Sequence, residues 1–197
     1  MIIREGGLQF TFGKGWTVKK YDRHRYYRGL SGAGLKGVDF ICLHERKELV
    51  LVEVKNYTTR HNRAMQKSFS VDAKPPEELA IAIQQKLVDT LVAIDAVFQY
   101  YQRGWMHRKF QPIIQYWPWP SFDRYFWTQA YQLAQSRETI RAVLWLELDT
   151  DDPGDYVEQL QQQLQQQPDK GLPPIEIFNH KNVPASAHIQ VKRVTER

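Results

Sequence analysis

One cysteine, Cys42, is all that 197 residues contain. An intrachain disulfide and a cysteine-only metal site are therefore excluded. No apolar run approaches the roughly 20 residues a membrane-spanning helix needs, and the N-terminus carries no secretory pattern. No membrane partner and a cytoplasmic location are expected. The six histidines, His24, His44, His61, His107, His180 and His188, show no ligand spacing such as H-E-x-x-H, which argues against zinc. Gly32, Gly34 and Gly37 lack the preceding strand and following helix that a nucleotide-binding loop requires. No internal repeat and no dividing linker is found, so residues 1–197 are expected to form a single domain.

What the chain does have is an uneven positive charge. The net charge is +5 and the isoelectric point near 9.2, which permits a polyanionic partner without demanding one. Residues 14–74 hold 14 Lys/Arg against 6 Asp/Glu, and the remaining 136 residues hold 13 against 16.

The periodicities predict alternating strands and helices. "LQFTF" alternates Leu8, Phe10 and Phe12, and "WTVKKY" runs on after a "FGKG" turn. The segment "YDRHRYYRGLSGAGLKG" packs basic side chains around tyrosines and ends in glycines, predicting a surface or site-edge loop. Residues 37–43 and 48–55 read as a hairpin closed by the charged "HERK" turn. "TTRHNRAMQKSFSVDAK" reads as a loop. The stretch "PPEELAIAIQQKLVDTLVAIDAVFQYYQRG" is the strongest helical pattern, with prolines and glutamates suited to its first turn and Gly104 to its end. "FDRYFWTQAYQLAQS" reads as a second helix, "TIRAVLWLELD" as a buried strand, "DYVEQLQQQLQQQ" as a surface helix and "AHIQVKRVT" as a last strand. The aromatic set Trp117, Trp119, Phe122, Tyr125, Phe126 and Trp127 is expected in a core or interface.

The hairpin carries charges where burial is expected. Alternation puts Glu53 and Lys55 on one face of their strand and Val52 and Val54 on the other. Antiparallel pairing around "HERK" brings Asp39 alongside Glu53. Two carboxylates at that range repel unless a cation lies between them. Such a site suits Mg2+ or Mn2+, and a lysine on the same face could meet negative charge developing on a phosphate.

"GVDF", a charged turn and "VEVKNY" together resemble the PD-(D/E)XK nuclease superfamily, with its restriction-endonuclease-like core. The resemblance runs from about Gly34 to Tyr101. It implies an α/β fold with a mixed central β-sheet flanked by helices, here preceded by a β-rich N-terminal segment. It also implies divalent-metal-dependent cleavage of DNA or sometimes RNA, with Asp39 and Glu53 as metal ligands and Lys55 near the attacking water. Members often add a polar residue from the downstream helix. With about 100° per residue, the stripe of Ala80, Ile83, Leu87, Leu91, Ile94 and Phe98 centres much nearer to Gln84 than to Gln85 or Lys86. Gln84 is therefore the expected contributor. Many members also carry a glutamate on a helix before the first core strand. No such helix is evident, and Glu5 and Asp22 are the candidates for that acid.

Three readings compete. They are a Mg2+-dependent nuclease acting on nucleic acid, DNA first; an inactive nuclease-fold protein that binds nucleic acid or protein; and an interaction protein assembling through its aromatic cluster and glutamine-rich helix. A chain this short that cuts both strands commonly acts as a homodimer, which is the expected assembly for the first.

Overall fold

A computed structural model describes residues 1–32, 34–58, 73–103, 123–149, 154–166, 172–183 and 189–194. The expected loop after Thr58 lies almost wholly outside these residues, as do Gly104, Trp117, Trp119 and Phe122. Strands β1 (Ile2–Glu5), β2 (Leu8–Phe12) and β3 (Trp16–Lys20) open the chain and are followed by helix α1 (Arg25–Gly32). The expected hairpin is β4 (Phe40–His44) and β5 (Glu48–Asn56). Then come α2 (Pro76–Gln102), α3 (Asp123–Ala134), β6 (Ile140–Glu147), α4 (Gly154–Gln166), β7 (Ile175–Phe178) and β8 (Ile189–Arg193).

Five of these strands form a mixed sheet in chain order, β3-β4-β5-β6-β7. The first three are antiparallel neighbours, and β5, β6 and β7 run parallel. Parallel neighbours need crossovers, and α2–α3 and α4 supply them. Right-handed crossovers that step in one direction place their helices on the same face. The expectation of helices flanking the sheet therefore needs correction. Among the described residues the helices pack on one face, where Ile41, Leu51, Leu87, Ile94, Trp127, Leu144 and Leu160 share a core. The other face is covered by a three-stranded antiparallel sheet, β1-β2-β8. There Phe10 meets Phe40 and Trp145 edge-on at 5.3 and 5.5 Å.

Local chemistry explains most elements. Leu8, Phe10 and Phe12 point inward from β2 while Gln9 and Thr11 are half-buried, the period of a strand with one buried face. Helix α2 opens with a proline followed by Glu77 and Glu78, which suit the positive end of its dipole. Helix α4, expected on the surface, uses its narrow stripe to bury Leu160 and Leu164. Tyr125, Phe126 and Trp127 of the expected aromatic cluster are buried on α3.

The segment predicted as a loop after Tyr21 contains α1 instead. Eight residues that include two glycines, two tyrosines and a serine carry little intrinsic helix preference. The helix persists because Tyr26, Tyr27 and Leu30 pack against the main core. Its entry to β4 is tight. A Cβ on Gly37 would lie 2.5 Å from the Tyr21 ring, so only glycine fits there.

Candidate active site

The Phe40↔Val52 pair fixes the register of β4 on β5, and one step further Asp39 stands across from Glu53. Both share the parity of Ile41 and Leu51, so they face the helices rather than the small sheet. Asp39 Oδ2 accepts the Val54 N–H at 2.7 Å. Glu53 is 1 % exposed. Its Oε1 accepts from Lys55, on the same face of β5, and from Lys86 Nζ of α2 at 2.7 Å. Its Oε2 is buried with no hydrogen-bond partner among the described residues.

The electrostatics follow from that crowding. Burial, then the facing Glu53 charge, pushes the Asp39 carboxyl up to about 7, against the Val54 N–H and the two lysines. Tyr57, two residues beyond Lys55 on the strand path, is also raised, by burial and then by Glu53. Two opposed carboxylates with one buried, unpaired oxygen make a donor set that a hard divalent cation fits. Among the described residues no group of three or more His, Cys, Asp and Glu side chains is placed to hold a metal. Further ligands drawn from the described residues would be backbone carbonyls, with water completing the shell.

The sequence-expected residues separate here. Asp39, Glu53 and Lys55 come together. Gln84 is directed at α4, where its amide donates to the Leu164 carbonyl at 3.4 Å, and it lines a hollow of about 630 Å³ with Gln161, Leu172 and Arg137. Lys86 takes the place beside Glu53 that Gln84 was expected to fill. The reason lies in the helix phase. Leu79, Asp89, Thr90, Ala93 and Val97 are buried on α2, whereas Leu91 and Phe98 are only half-buried. Including them swings the buried face until Lys86 lies about 40° from its centre and Gln84 about 120°.

Asp89 and Thr90 went unnoticed because polar residues do not count toward an apolar stripe. They are buried because they fasten the strand entry. Asp89 Oδ2 accepts the Lys36 N–H at 2.8 Å, and Thr90 Oγ1 accepts the Val38 N–H at 3.1 Å while donating to the Lys86 carbonyl at 2.6 Å. The backbone leading into Asp39 is thus pinned to the helix that carries Lys86. Gln85 Nε2 steadies Asp89 Oδ1 at 2.8 Å.

The N-terminal candidates do not complete this group. Lys20 pairs with Phe40 and shares its face, toward the small sheet. Glu5 makes its ion pair with that lysine. Asp22 is raised by burial, with Lys20 opposing and Glu5 adding to the rise, so it belongs to the same neighbourhood. No described helix is long and apolar enough to cross a membrane. No family model matches the chain, and neither a curated protein nor a solved structure does.

Proposed function

We propose that the chain is a divalent-metal-dependent nuclease of the PD-(D/E)XK kind that hydrolyses phosphodiester bonds, with DNA as the first substrate to test. One observation carries the reading. Asp39 and Glu53 oppose each other at the strand ends, Glu53 Oε2 is buried without a partner among the described residues, and two ammonium groups stand on the same carboxylate. A buried polar atom left unpaired is costly, and its retention suggests a ligand.

Asp39 and Glu53 would hold Mg2+ or Mn2+. When bound, the ion supplies Lewis-acid polarisation of the phosphodiester and neutralises charge. Asp39 must give up its proton for both carboxylates to engage a cation, so affinity rises with pH through about 7. Lys55 and Lys86 would turn from Glu53 to the phosphate oxygens, where their donors meet the charge that develops as water adds to phosphorus and one P–O bond breaks.

The deciding experiment incubates the protein with linear, supercoiled, single-stranded and branched DNA and with RNA, each with Mg2+, Mn2+ or EDTA. Metal-dependent cleavage that Glu53→Gln removes supports the reading; cleavage that persists in EDTA or in the variant defeats it. A second reading, a nuclease-like fold that binds without cutting, draws on the two lysines already occupying Glu53 Oε1. Binding without cleavage on every substrate would favour it.

A further inference from the structure

A second polar group lies at the carboxyl ends of the parallel strands, where ligands of open α/β sheets commonly bind. Glu147, the last residue of β6, is 1 % exposed. Its Oε1 accepts the Trp145 indole N–H and the His180 backbone N–H, both at 3.0 Å. Its Oε2 accepts from His180 Nδ1 at 2.6 Å and from Arg193 at 3.0 Å. Burial alone would raise this carboxyl, but the bonds from Arg193 and His180 outweigh it and hold the group below its ordinary value. An ionised carboxylate only accepts, so Nδ1 carries its hydrogen and Nε2 is the nitrogen left over.

That nitrogen has company. His180, Lys181 and Arg193 line one hollow of about 210 Å³, together with Asn179, Asn182 and Asp149. Among the described residues, His180 Nε2, the Lys181 ammonium and the Arg193 guanidinium nitrogens other than the one on Glu147 have no partner. The two asparagine side-chain oxygens are engaged in the turn, Asn179 accepting from the Lys181 and Asn182 N–H groups and Asn182 from the Asn179 N–H, while the Asn182 amide donates to the Ile177 carbonyl. Asp149 has a partner of its own. The buried Glu147 carboxylate is saturated and serves to orient the imidazole. What remains open toward the hollow are the Lys181 ammonium and the free Arg193 guanidinium donors, both cationic, beside His180 Nε2, which donates to an oxyanion when it carries a proton.

We propose that this hollow is a phosphate-binding site in which His180, Lys181 and Arg193 receive the oxyanion. Arginine's fork and a lysine point charge are the usual partners of phosphate oxygens. The site goes beyond the cleavage reading and does not need Glu53 to be catalytic. Its position still relates the two, because Leu146, which lines the hollow, is the register partner of Lys55. A nucleic-acid strand at Glu53 passes the same end of the sheet. The charged groups around His180 are Glu147 at the end of β6, Asp149 just beyond that strand, Arg193 from β8 and the adjacent Lys181.

The test uses the full chain carrying Glu53→Gln, in EDTA, so that cleavage plays no part. Inorganic phosphate, a 5′-mononucleotide and a short single-stranded oligonucleotide are titrated while the imidazole nitrogens of His180 are followed by NMR. A saturable shift at Nε2 is expected. His180→Asn places an amide where Nδ1 was and deletes Nε2. It should keep the wild-type thermal transition and weaken binding at least tenfold, and Lys181→Ala should weaken it severalfold. A shift with the oligonucleotide alone supports the site and identifies a strand phosphate as its ligand, whereas a shift with free phosphate too identifies small phosphate compounds. No shift with any probe, or equal binding by His180→Asn, overturns the proposal. Absence of cleavage in the parent protein with this shift intact would defeat the nuclease reading only.

Discussion

Glu53 and Glu147 sit near the same end of neighbouring parallel strands, each 1 % exposed, yet their surroundings are opposite in kind. Glu147 has four donors spread over both oxygens, drawn from β6, the turn after β7, and β8. Glu53 has two ammonium groups on one oxygen, no partner among the described residues on the other, and a second carboxylate opposite. A satisfied buried network rigidifies, whereas a half-satisfied one costs stability. The comparison teaches that Glu147 ties the small sheet to the large one, while Glu53 keeps an unmet valence at a place where a cation fits.

The largest expected effect is on chemistry. Glu53→Gln should lower metal-dependent cleavage by on the order of 10²–10³-fold, with the thermal transition unchanged or raised because the carboxylate crowding is relieved. A variant that cleaves normally, or that unfolds, would make Glu53 a structural residue like Glu147. Glu147→Ala should do the reverse. Removing one member of a buried charged network costs about 3–5 kcal/mol, and urea unfolding should show the loss. Stability within error of wild type would remove Glu147 from its tying role.

The two regions should also answer pH with opposite slopes. Asp39 titrates near 7 in the folded protein, whereas an unfolded aspartate ionises near 4. The folded state therefore holds the proton more tightly between about pH 4 and about 7, and stability falls as pH rises through that window. Asp39→Asn should raise stability by about 4 kcal/mol at pH 8 and by little near pH 4. Glu147 is held below its ordinary value, so its contribution is present above the unfolded pKa and lost as pH falls below it. Thermal melts from pH 3.5 to 8.5 on wild type, Asp39→Asn and Glu147→Gln separate the two slopes. A wild-type slope of one sign throughout, unaltered by both variants, would contradict both assignments.

A smaller effect distinguishes the residues of α2. Lys86→Met should slow cleavage about tenfold, a loss of about 1.4 kcal/mol, while Gln84→Leu should change it by less than about twofold. The opposite ranking would return Gln84 to the cleft. The smallest is the salt response of DNA binding, which should weaken as salt rises because residues 14–74 carry the basic excess. Binding insensitive to salt would detach that charge from the site.

Several of these features were readable in advance. Strand alternation has a period of two, so "VDF" and "VEVK" placed Asp39, Glu53 and Lys55 on one face from short-range information alone. The long helix Pro76–Gln102 was equally legible from its spacing and its opening prolines. Its rotation was not. Gln84 and Lys86 exchange roles because Asp89 and Thr90 are buried by bonds to Lys36 and Val38, more than fifty residues away in the chain.

The amino-acid sequence by itself determined which segments alternate, which spiral and which three side chains meet on the hairpin, because those depend on neighbours within one element. Tertiary structure alone decided the rest. Helix α1 forms because a core lies beneath Tyr26, Tyr27 and Leu30, and β8 finds β2 across almost the whole chain. The Glu147 network gathers Trp145, His180 and Arg193 from three segments with no shared motif. Such contacts are set by how layers pack and by where buried donors find acceptors.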